Sequence, residues 1–75
     1  MNNQRRKKIR EINSTLTELM NRLEEIKSEE EETLDNMPEN LQCSERAMAS
    51  EEAIAILEEA LDNFTEANER LEDLL

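Results

Sequence analysis

Residues 51 to 75 repeat one heptad three and a half times: EEAIAIL, EEALDNF, TEANERL, EDLL. Each full unit starts on polar, mostly acidic residues, holds a small residue third, and keeps its fourth and seventh places for apolar residues. Asn68 takes the fourth place of the third unit. Apolar residues spaced three and then four apart stay on one side of an α-helix and need a partner helix to cover them. Residues 9 to 26 carry an answering seam in Ile9, Ile12, Leu16, Leu19, Leu23 and Ile26. Good helix formers fill most of the rest, the chain has no Gly, and no segment alternates in the manner of a strand. The fold class expected is all-α.

Seventy-five residues make one domain, 1–75, too small for a cleft with its own two-layer core. The break between the helices falls in DNMPENLQC, residues 35–43. Pro38 disfavours helical geometry at Met37, so the first helix should stop before it. Ser44 or Ser50 can cap the second helix, with acids following in its first turn. These signals predict helices over about 4–34 and 44–74, folded back as an antiparallel two-helix hairpin. That pairing sets Arg5, Arg6, Lys7, Lys8 and Arg10 beside Glu66, Glu69, Glu72 and Asp73, where the two clusters can clamp each other. A phosphate or an acidic partner is the other use open to the basic end.

The second helix has one stripe more than a hairpin needs. Beside its main seam run Ala49, Ala53, Ile56, Ala60 and Ala67. A helix apolar over so wide an arc contacts two neighbours, and the second is expected to come from another copy, the two hairpins dimerising into a four-helix bundle. A two-helix chain of this size also rarely holds itself together without such support. Asn68, on the main seam, either fixes register or is wet near a frayed end.

Catalysis is not expected. There is no His for proton transfer, no Gly-rich phosphate loop, and no Cys–His or Ser–His pair is possible. Paired glutamates such as Glu24 with Glu25 and Glu58 with Glu59 occupy solvated helix faces. No metal or cofactor is expected, since a di-metal carboxylate bundle needs Glu-x-x-His and a calcium loop needs Gly. The single Cys43 reads as a small, partly exposed residue of a reducing compartment. No apolar run suggests a leader or a membrane span, so a cytoplasmic location is expected.

What remains is recognition through surfaces. Nine bases face twenty acids for a net charge of −11, and five of the bases lie in the first ten residues. So acidic a body repels nucleic acid and anionic lipid and attracts basic surfaces. Direct nucleic-acid binding is therefore disfavoured. A protein partner with a basic surface is the natural target, and carboxylates spaced along a rod could imitate a phosphate backbone in its groove. The candidate contact residues are the run Glu29, Glu30, Glu31 and Glu32 together with Asp35, Asn36, Glu39 and Asn40 of the connection. A structural coiled-coil module with no separate target is the alternative.

The connection is more distinctive than the heptads. DNMPENLQCSER, from Asp35 to Arg46, followed by the acidic repeat, resembles a D-N-x-P-E-N-L-Q-x-S-E-R connection that joins two charged helices. That connection occurs in small uncharacterised helical-hairpin proteins of Firmicutes bacteria and their phages. Cys43 stands where the pattern has Gly, and Ala47 where it has an aromatic residue. The resemblance carries no activity of its own. A phage setting implies an inhibitor of a host nucleic-acid-handling or defence enzyme, acting in the bacterial host cytoplasm.

Overall fold

Asn2 opens the first helix by accepting the Arg5 backbone N–H on its side-chain oxygen at 2.8 Å. A computed structural model, which describes residues 1–75, carries this helix, α1, from Asn3 to Asp35. Asn36 closes it with helical backbone angles, its N–H turned back to the carbonyl of Glu32. Pro38 then begins a 3-10 turn at Glu39–Leu41, and Gln42 Nε2 donates to the Met37 carbonyl at 3.1 Å to hold that turn in place. Ser44 caps the second helix, α2, Glu45–Glu72, by accepting the Ala47 N–H at 3.3 Å. Of the two candidate caps it is thus Ser44 that starts α2, and Ser50 lies inside the helix.

The helices pack antiparallel along their length. Arg6 Nε donates to the Leu74 carbonyl at one end, and Ser50 Oγ donates to a Glu30 carboxylate oxygen near the other. The result is a ribbon of 59 × 15 × 12 Å with a radius of gyration of 17.3 Å. A globule of this length would have roughly 11 Å. There is accordingly little interior, and only Asn13, Ala47 and Ser50 are buried.

The seam that closes the hairpin differs on α1 from the one its sequence suggests. Half-buried or buried positions run Arg6, Ile9, Asn13, Leu16, Met20, Leu23, Lys27, Glu30 and Leu34, spaced alternately three and four apart. Ile9, Leu16 and Leu23 belong to it as expected. Ile12, Leu19 and Ile26 do not: they are 57%, 45% and 51% exposed. The six apolar residues occupy two adjacent lines on the helix, and a single partner helix covers only one edge of so broad a stripe. Turning α1 toward Met20 instead of Leu19 also brings Lys27 across the seam to Glu58, 3.5 Å away. On α2 the facing positions are Ala47, Ser50, Ile54, Leu57, Leu61, Asn68 and Leu71, while Phe64 sits on the rim at 38% exposure.

The charge clamp at the open end takes a different form as well. The ion pairs of the hairpin are Lys27 with Glu24, Glu31 and Glu58, and Arg70 with Glu66. None joins the basic start of α1 to the acidic end of α2. Arg6 spends its guanidinium on the Leu74 carbonyl and the Asn3 side chain instead.

Candidate protein-binding surfaces

Because both helices offer more apolar width than one contact covers, the ribbon has two unlike faces. Leu19, Leu23, Ile26 and Arg22 of α1 line one shallow depression with Phe64 of α2. Lys8, Glu11, Ile12, Thr15, Leu16 and Leu19 line a second that continues it toward the open end. Ala60 and Ala67 stand one helical turn to either side of Phe64, and Ala53 lies two further turns along, so the alanine stripe of α2 borders the same face. Ala53 and Ala60 are half-buried at its inner edge, and Ala49, Ile56 and Ala67 are exposed. The stripe of the α2 repeat makes up only half of this surface. The bulkier half is supplied by Ile12, Leu19 and Ile26. The signal for it lay in the doubled apolar lines of residues 9 to 26, which satisfy a seam and an outer stripe at once.

The opposite face is acidic. Glu24, Glu58 and Asp62 surround Lys27 there, with Leu61 beneath them. The Lys27 ammonium lies 3.8 Å from Glu24, 3.5 Å from Glu31 and 3.5 Å from Glu58. Partial burial pulls its pKa down, and the three carboxylates together outweigh that pull, so it stays above the ordinary 10.5. One cation thus holds three acids of two helices together. Replacing it by the similarly shaped Met, Lys27→Met, is expected to lower the melting midpoint modestly at low salt, with the difference shrinking as salt is added. A group whose pKa is raised by folding stabilises below its unfolded pKa and stops doing so as pH rises through the folded value. The wild-type advantage should hold through neutral pH and fade above about pH 10.5. Equal midpoints for the two proteins at neutral pH and low salt would refute a stabilising role for the cluster.

The acidic run near the connection does not form one surface. Successive residues turn by about 100° on a helix, so four in a row point to all sides. Glu30 faces α2 and accepts the Ser50 hydroxyl at 2.6 Å, and Glu31 is held by Lys27. Glu29 and Glu32 are exposed, as are Asp35, Asn36, Glu39 and Asn40 around the turn. The free acids of this end are therefore Glu29, Glu32, Asp35 and Glu39. Cys43 is exposed with a free thiol. No three Cys, Asp or Glu side chains converge closely enough to hold a metal ion, and no helix is long and apolar enough to cross a membrane.

The fold and its surfaces define an all-α antiparallel helical hairpin with one apolar and one acidic face. No protein-family model, curated protein or solved structure matches the chain.

Proposed function

We propose that the chain is a non-enzymatic helical protein that acts by occupying the basic surface of a protein partner, and that it does so as a pair of hairpins. The observation that carries this reading is the separation of the two faces. One is apolar and suited to a second copy, which leaves the carboxylates of the other directed outward. Glu24, Glu58 and Asp62, with Glu32 and Asp35 toward the turn, then form a strip of negative charge along a rigid rod. A groove lined by Lys and Arg recognises such a strip by its field before any detailed contact is made. The resemblance of the connection to hairpins of Firmicutes and their phages supports a host enzyme that handles nucleic acid, including one of defence, as the target. The bacterial cytoplasm is the corresponding location.

The structural-module reading draws on the same apolar face, since a bundle that only assembles also needs it. Capture from a host lysate separates the two, using the wild-type protein and two charge-neutralised forms. Glu24→Gln/Glu58→Gln/Asp62→Asn removes the acids of the flat face, and Glu29→Gln/Glu32→Gln removes those near the turn. A partner held by the wild type should be released by salt and should bind one of the variants about tenfold or more weakly, a loss of roughly 1.4 kcal/mol or greater. Equal affinity for all three proteins would overturn the acidic-surface reading. Capture of nothing but the chain itself would favour the module.

A further inference from the structure

We propose that two copies stack through their apolar faces about a two-fold axis running along the helices, so that α1 of each lies antiparallel on α2 of the other. This rests on the paired reading above and specifies its surface and its orientation. The need for a cover is plain from burial: Ala47 is the only buried apolar residue of the hairpin, whereas Ile12, Leu19, Ile26 and Ile56 stand exposed. The size also suits a second copy. One broad side of a 59 × 15 Å ribbon presents roughly 900 Å², close to the ~800 Å² per partner of a standard stable interface.

Two identical ribbons can stack face to face in two symmetric ways, and charge distinguishes them. An axis across the helices lays α2 on α2. The outer edge of that helix carries Glu45, Glu52, Glu59, Glu66 and Asp73 at strict heptad spacing, one turn-step beyond Ala49 and Ile56. Stacked on itself, this edge would set acid against acid. An axis along the helices lays it instead on the edge of α1 that reads Lys8, Thr15, Arg22 and Glu29 at the same spacing. Even with Glu11 beside Lys8, that edge is less acidic than the α2 edge.

That second axis also preserves the levels of the residues along the rod. Arg6 is level with Leu74, Thr17 with Asn68 and Lys27 with Glu58, each pair in contact within the hairpin. Arg22 therefore falls between Glu59 and Glu66 of the second copy, and Lys8 falls beside its Asp73. Leu19 and Ile26 come level with its Ala67 and Ala60, so that large side chains meet small ones. Unlike charges along the edges and complementary sizes between them are what fix orientation in paired helices.

The test uses the full chain with Cys43→Ser, carrying either Thr15→Cys or Glu66→Cys, mixed and treated with a short bismaleimide. Both substituted positions are at the edges that this arrangement brings together, whereas the two copies of either one lie on opposite sides of the bundle. Cross-links joining one protein to the other are expected, with cross-links of like to like absent. Like-to-like products, or no mixed product from a chain that is dimeric by light scattering, would overturn the orientation and leave the pairing standing. A mass of one chain, 8.8 kDa, at tens of micromolar would overturn both. As an independent readout, Arg22→Glu should weaken the dimer about tenfold, and adding Glu59→Arg should restore it. Loss without restoration counts against the assigned pair.

Discussion

The double variant Leu19→Glu/Ile26→Glu is expected to lose both its dimer and most of its helix at micromolar concentration. Nothing inside the single hairpin explains such a loss. Both side chains are about half exposed there, and replacing exposed residues away from special features changes stability by within about 0.5 kcal/mol. In the stacked pair each becomes part of a core. Burying the exposed half of a Leu or an Ile contributes roughly 0.8–1.5 kcal/mol, and four such side chains per dimer make the affected sum roughly 3–6 kcal/mol before the added carboxylates are counted. The helices depend on this sum because an isolated hairpin with so little interior is marginal. Circular dichroism melts over a range of concentrations check it. The wild-type midpoint should rise with concentration, as it does for any assembly that binds only the folded form. A variant that melts like the wild type would show the apolar face to be free.

The same two residues show where the sequence was legible and where it was not. The heptads, the Pro38 break and the Ser44 cap are local signals, each set by a few neighbouring residues, and the two helices and the connection follow from them. The angle at which α1 turns its stripe toward α2 is not local. Ile9, Leu16 and Leu23 are common to two possible seams, and only the choice of Met20 and Lys27 over Leu19 and Ile26 settles which is inside. That choice depends on where Glu58 and the α2 seam stand in three dimensions. On α2 the extra width of the repeat is visible because Ala53, Ala60 and Ala67 recur in identical places. On α1 an equal width passes for one regular seam, since every residue in it fits.

The acidic run was misleading for a related reason. Glu29, Glu30, Glu31 and Glu32 look like one patch when written in a line, but a helix distributes them around its whole circumference. Glu30 and Glu31 are taken up by Ser50 and Lys27, and only Glu29 and Glu32, one turn apart, remain free. The more coherent acidic face gathers residues far apart in sequence, Glu24 with Glu58 and Asp62, and only the hairpin register brings them together. Charge adjacent in sequence was thus a poorer guide to a charged surface than charge at matched levels of two helices.

Asn13→Leu is expected to stabilise the protein, which is the opposite of what most core substitutions do. Asn13 is 8% exposed and sits on the hairpin seam, yet neither its amide nitrogen nor its amide oxygen has a hydrogen-bond partner. Asn68, also on the seam, is half satisfied: its amide nitrogen lies 3.4 Å from the Thr17 hydroxyl, while its oxygen is unpaired. Thr17 gives its own hydroxyl proton to the Asn13 backbone carbonyl, so that proton does not reach the Asn13 amide oxygen. A buried polar group without a partner costs about 1–3 kcal/mol, and an apolar residue of similar shape removes that cost while adding contact. For a domain of this size each kcal/mol raises the melting midpoint by about 4–8 °C, so the shift should be readily measured. What the substitution removes is discrimination. Sliding the helices by one heptad would bury an amide against a wholly apolar layer, and Asn13 with Asn68 opposes such slips where Leu would not. The expected result is therefore a higher midpoint together with a less uniform assembly, seen as extra species in native mass measurements. A lower midpoint would mean that the Asn13 amide is satisfied in solution and that the polar layer contributes to stability directly.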